Sequence, residues 1–214
     1  MKFYVRNALY GALMLLLASS CAQTNSAADS TAEASSSSDS TDAVTEIANA
    51  DPAQTPAVVL EEIRDRAEDL QICEGETSAE TWTRSQIYLT GQGTYIAEIL
   101  CFMAAYQGSY EYWLYEPADA GAKIEPLALT SFQETESGEL VQWEAPGIGG
   151  LPEYDPAQQI LTVFSKVRGL GDCGTLAQYQ FADNAFQLME YRAKLECDGN
   201  YVDPEDYPLI YPNQ

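Results

Sequence analysis

Hydrophobic residues fall along this chain in three textures. From Ala8 to Ala18 the sequence ALYGALMLLLA is apolar apart from Tyr10 and Gly11. Residues 22–54 then carry no aromatic and almost no large aliphatic side chain. From Thr55 onward a period appears. Val59, Leu60, Ile63, Ala67 and Leu70 recur at three- and four-residue steps, while Glu61, Glu62, Arg64, Asp65, Arg66, Glu68 and Asp69 fill the opposite side. That spacing predicts one amphipathic helix over 55–73, with Thr55 as its cap and Pro56 in the first turn. After it the period shortens to two. WTRSQIYLTG, TYIAEILCFMAAYQGSYEYWLYEP, AKIEPLALTSF, LVQWEAPG and ILTVFSKVRG read as short strands, rich in Tyr, Ile, Thr and Trp and punctuated by Gly, Pro and Asp. ILCFMAA is apolar on both faces and reads as a central strand, a helix over Tyr95 to Ala105 being the alternative. In GTLAQYQFADNAFQLMEYRAKLEC, Asp183 and Asn184 tolerate left-handed backbone angles and predict a hairpin turn. Tyr179 and Phe181 share one face before the turn, and Phe186, Leu188 and Glu190 share one after it. The expected fold is α+β: mostly antiparallel sheet, one N-terminal helix, and two β units at about 82–130 and 154–197 that are candidates for related shapes.

The first texture has a basic start, Lys2 and Arg6 with no acid between them, and it ends in small residues before Cys21. Those are the marks of a secretory signal, and the apolar run is too short for the roughly 20 residues a membrane span needs. LASSC at its end resembles the signal peptides of bacterial lipoproteins. The resemblance implies that residues 1–20 are removed, that Cys21 is lipidated, and that the chain is held on the membrane by its acyl groups; ordinary secretion with cleavage near Ala18 or Ala22 is the alternative. Acyl chains anchor by burial, at about 0.8 kcal/mol per CH2. Residues 21–54 lack the apolar surface needed to offset ordering entropy and read as a disordered acidic tether. A coil of that length reaches about 30 Å on average. The working domain is expected at 55–214.

The whole chain has 10 Lys and Arg against 33 Asp and Glu, a formal charge of −23. Losing Lys2 and Arg6 leaves eight bases, hence −25. Such a chain is repelled by nucleic acid and favours a cationic partner, or simply solubility in a salty medium. No histidine is present. That excludes Ser-His-Asp, Cys-His and His-based zinc chemistry. With Cys21 assigned to lipid, Cys73, Cys101, Cys173 and Cys197 remain, an even number in an exported chain. The hairpin brings 173 and 197 together, leaving 73 with 101. Each bridge would contribute about 3 to 4 kcal/mol in the loop-entropy picture. C-x-x-C spacing is absent, so neither thiol exchange nor a zinc ribbon is suggested.

GLGDCG, residues 169–174, fits G-x-G-x-x-G. A hairpin rather than a helix follows it, and Asp172 would oppose a phosphate, so a dinucleotide loop is rejected. A reactive Cys173 would need a nearby base, leaving a glycine turn stapled by Cys173. KVRGLGDCG, the aromatic hairpin QYQF/AFQL, the second cysteine and the tail YPLIYP resemble the C-terminal end of an uncharacterised bacterial family of exported proteins, the domain of unknown function numbered 1176. That resemblance implies no activity and no catalytic residue. Two other stretches invite a site. Tyr106, Tyr110, Tyr112 and Trp113 in YQGSYEYWLYEP suit a face for a glycan or peptide. Asp198, Asn200, Asp203, Glu205 and Asp206 offer oxygen ligands without EF-hand spacing, so no metal site is assigned. No cofactor is implied. The expectation is a lipid-anchored envelope protein that binds a cationic envelope protein or a glycan without catalysis. A carboxylate-based envelope hydrolase is the alternative, for which a cleft with two close carboxylates, one with a raised pKa, would speak.

Overall fold

A computed structural model describes residues 55–212. The signal, Cys21 and the tether lie outside the described residues. The N-terminal helix is capped as the sequence suggests: α1 spans Pro56–Asp65 and the Thr55 side chain accepts from the Val58 N–H at 3.4 Å. It is shorter than the periodicity implies. The chain kinks at Arg66, where the guanidinium donates to the Ala122 carbonyl at 2.7 Å, and continues as α2, Ala67–Leu70. Gln71 turns left-handed, and a 3-10 turn follows at Ile72–Gly75. Beyond this break Cys73 lies at the sheet, bonded to Cys101 with Cα atoms 5.3 Å apart. A second helix that the sequence did not suggest, α3 at Ala79–Arg84, is closed by a capping box between Ser78 and Thr81. Its last three residues, Trp82–Arg84, belong to the stretch WTRSQIYLTG that composition reads as a strand.

Eleven strands follow: β1 Gln86–Leu89, β2 Tyr95–Met103, β3 Gly108–Glu116, β4 Lys123–Pro126, β5 Leu129–Glu134, β6 Leu140–Ala145, β7 Gly147–Asp155, β8 Ile160–Lys166, β9 Gly174–Ala182, β10 Ala185–Lys194 and β11 Leu209–Tyr211. All pairings are antiparallel. The α+β reading, sheet-dominated with few helices, therefore holds. Both expected β units are meanders, β1 to β4 and β7 to β10, but they belong to one sheet: β3 runs on to β7 through Gly108↔Gly150 to Glu111↔Gly147. β5 and β6 form a separate hairpin.

The sheet folds back on itself. One face of β2 and β3 (Tyr95, Ala97, Ile99, Trp113, Tyr115) packs with Val59, Ile63, Ala67 and Trp82 of the helices. The other face (Ile96, Tyr112, Leu114) packs with Leu161, Val163, Tyr179, Phe181 and Phe186 of the second meander. The rings of Tyr112 and Phe186 meet edge to face at 5.5 Å, and those of Tyr88 and Tyr154 lie 4.9 Å apart. β2 is therefore covered on both sides from Tyr95 to Leu100, but the run ILCFMAA is not the central strand its composition suggests: Phe102 to Ala105 are exposed and the strand ends at Met103. Each fully buried aliphatic here contributes about 1.5 to 3 kcal/mol.

The hairpin turns at Asp183 (φ 51°) and Asn184 (φ 60°), as expected. Its face assignment needs one correction. Phe186 and Leu188 point inward, but a bulge between Leu188 and Glu190 reverses the alternation, so Tyr191 and Ala193 are buried and Glu190 faces out to pair with Arg192. An extra residue in one strand shifts every later side chain to the opposite face.

Candidate functional site

The four aromatics expected to make a binding face do not share one. Strand alternation and cover on both sides of β3 separate them. Tyr112 is buried between the meanders and donates to Glu98 Oε2 at 3.0 Å. Trp113 is buried under the helices and donates from Nε1 to Glu111 Oε2 at 3.1 Å. Tyr110 is half-buried, and its ring occupies the space a Cβ on Gly108 would need. Tyr106 lies over Gly169 and donates to the Val167 carbonyl at 3.3 Å, closing the GLGDCG turn.

Of the four only Tyr106 is exposed; the other exposed aromatics among the described residues are Phe102, Trp143 and Tyr201. Phe102, near the end of β2, is 59% exposed, and Trp143 on β6 is 42% exposed. They line one hollow of about 400 Å3 with Cys73, Glu74, Glu76, Cys101, Ser109, Glu111, Pro146 and Gly147. Three local features shape it. A bulge between Leu100 and Phe102 ends the regular alternation of β2. The Cys73–Cys101 disulfide ties the 3-10 turn to that bulge, with Cα atoms 5.3 Å apart. Gln71, Cys73 and Glu74 all hold left-handed φ, between 53° and 57°, a conformation that non-glycine residues adopt at a cost of about 1 to 3 kcal/mol each. The Cys73 N–H donates to Glu111 Oε2 at 3.0 Å, so one carboxylate oxygen fixes both the turn and Trp113. The hollow thus has two aromatic walls and three carboxylates on a disulfide-held frame. Phe102 was hidden in the sequence because ILCFMAA is uniformly apolar. Trp143 carried a signal, since it sits between polar Gln142 and Glu144.

GLGDCG is a stapled turn. Cys173 bonds Cys197, with Cα atoms 5.0 Å apart. Asp172, 1% exposed, accepts from Arg168 on both oxygens and from the Gly199 N–H at 2.7 Å, while Lys194 donates to its carbonyl at 2.6 Å. The Arg168 guanidinium holds the Asp172 carboxyl down at about 2. Gly171 uses positive φ (74°); Gly174 is required for contact, because a Cβ there would lie 2.2 Å from the Ser165 carbonyl oxygen. Both disulfides join the pairs expected, and such bonds belong to oxidising, exported surroundings.

The model of one family, described as a protein of unknown function (DUF1176), matches residues 22–214. The chain belongs to the DUF1176 family. The match reaches well upstream of the GDCG end that carried the resemblance, through the helices and the first meander. No curated protein and no solved structure matches it significantly.

What this DUF1176 protein can do chemically is set by its carboxylates. The group of metal-ligating types that converges among the described residues, Cys73, Cys101 and Glu111, has its two sulfurs in a disulfide and cannot ligate as a thiolate pair. Asp198 is taken by Lys194 at 2.7 Å and by Asn200, and it does not converge with Asp203, Glu205 and Asp206. A carboxyl with a raised pKa does exist. Glu98 on β2 is 6% exposed, and burial pushes it up to about 7, partly offset by the bond from Tyr112. It stands among Tyr88, Tyr110 and Tyr112, on the interior face of the sheet, and lines no part of the hollow at Phe102. Burial raises those three phenols further. Glu98 was missed in the sequence because a single acid among IAEIL gives no sign of which way it points.

Proposed function

We propose that this DUF1176 protein is a lipid-anchored module of the cell envelope that acts by binding, without catalysis, and that it holds a cationic envelope protein in the hollow beside Cys73–Cys101. The observation that carries this reading is the lining of that hollow: Phe102 and Trp143 exposed beside Glu74, Glu76 and Glu111. Exposed aromatics on a rigid frame are what binding surfaces use, because their contact area is gained with little rotamer entropy lost. The three carboxylates select a positive partner, and the net charge of the mature chain draws one in. Binding is favoured over hydrolysis because the carboxyl with the raised pKa, Glu98, is enclosed and does not line the hollow that holds the exposed carboxylates. Acyl chains on Cys21 would keep the domain near the membrane.

The anchor and the binding site are tested together in the native envelope. A Cys21→Ser chain is expected to leave the membrane fraction. A photo-crosslinking residue at position 143 is expected to join one basic envelope protein, and the same group at position 157, on the turn between β7 and β8, is not. Equal adducts from 143 and 157, or a 143 adduct unaffected by Phe102→Asp, would overturn the binding site.

A further inference from the structure

β2 is longer than its neighbour on one side. β1 pairs with it from Leu89↔Tyr95 to Gln86↔Glu98, so beyond Glu98 only β3 is hydrogen-bonded to β2. The Leu100 N–H is taken by Ser85 Oγ at 3.1 Å. From Cys101 to Met103 the outer backbone edge has no strand of the described residues beside it. Natural sheets usually blunt such an edge with charge or proline, or cover it. Here the edge carries Phe102 and Met103, the latter 41% exposed. A second hollow of about 420 Å3 opens between this edge and α3, lined by Ser78, Glu80, Thr81 and Arg84 together with Leu100 to Met103. Cys101 and Phe102 line both hollows, so the free edge is a ridge between them.

We infer that a basic, extended segment of another exported protein adds to this edge as a strand. Its backbone bonds to Cys101–Met103 and lies in the hollow beside α3, its apolar side chains rest on Phe102 and Met103, and its arginines or lysines reach the acidic hollow. This mode rests on the binding reading above and specifies how the site engages its partner. Neighbouring strands are about 4.8 Å apart, so a long cationic side chain on the added strand crosses the Phe102 ring and ends near Glu74, Glu76 and Glu111. Charge selects the occupant. The chain's own residues 22–54 contain Asp29, Glu33, Asp39, Asp42, Glu46 and Asp51 and no base, and a second copy carries the same large negative charge. Both are repelled from a site with three carboxylates.

The test uses the full mature chain with its disulfides intact. The probes are a ten-residue capped peptide alternating arginine and valine, the same peptide N-methylated at alternate backbone nitrogens, and a version with glutamate for arginine. The arginine peptide is expected to bind, to slow amide exchange at Cys101–Met103, and to weaken at least tenfold on N-methylation. Phe102→Asp is expected to weaken it at least tenfold with the disulfides and circular dichroism unchanged. An N-methylated peptide that binds as well as its parent would overturn strand addition while leaving the hollow as a binding site. If the arginine and glutamate peptides are equally inert, both readings fall.

Discussion

Replacing Glu98 by Gln should remove most of a pH-dependent loss of stability that this protein carries at neutral pH. Glu98 is enclosed between the two meanders, and its carboxyl is pushed from an ordinary 4.5 to about 7. The unfolded chain releases that proton near 4.5, while the folded one keeps it to about 7. The stabilising contribution of the neutral form is therefore complete below about pH 4.5 and is lost as pH rises through 7. A displacement of roughly 2.5 units corresponds to about 3 kcal/mol, a large share of the 5 to 15 kcal/mol that holds a typical domain together. Glutamine keeps an oxygen to accept from Tyr112 and cannot ionise. Urea unfolding of oxidised wild type and E98Q, from pH 4.5 to 8.5, measures the difference directly. All other acids cancel in that difference, and the chain has no histidine to titrate in the same window. The expected result is a gap that moves in favour of E98Q by about 3 kcal/mol between the two ends. Parallel curves would refute the reasoning, for they would mean that Glu98 ionises without cost in the folded protein.

Other outcomes follow from the same geometry. Denatured protein from the native envelope should show no free thiol before reduction and four after it, and free Cys173 would contradict the stapled turn. Changing Cys173 and Cys197 together to Ser removes a cross-link over 24 residues and should lower unfolding free energy by about 3 to 4 kcal/mol in denaturant titrations. Asp172→Asn loses the Arg168 pair in an enclosed position, so it should destabilise more than Asp198→Asn and speed amide exchange at Gly199 in particular. Because the Asp172 carboxyl is held low, its contribution is full above about pH 4 and fades as pH falls through 2, the opposite slope to that of Glu98. Gly174→Ala must displace the Ser165 carbonyl and should lower the melting temperature further than Gly199→Ala, which meets open space and only a positive φ of 84°.

Local rules determined a good deal of this molecule before any tertiary contact is considered. The cap at Thr55, the turn at Asp183 and Asn184, the strand-rich middle and the Cys173–Cys197 pair are set by neighbours in sequence or by a single hairpin, so periodicity and turn chemistry reach them. The kink at Arg66 depends on the Ala122 carbonyl, more than fifty residues away, and on the distance Cys73 must cover to meet Cys101. The bulges at Cys101 and Met189 leave no mark in composition, yet each reverses the faces beyond it: one frees Phe102, the other buries Tyr191. Tyr112 and Trp113 look like a binding face in one dimension and are interior because β3 lies between two layers. Glu98 differs from its many exposed counterparts only in where the sheet folds back. Burial and register arise from the packing of distant strands, and a linear sequence records the residues that tolerate them without recording which of those residues they select.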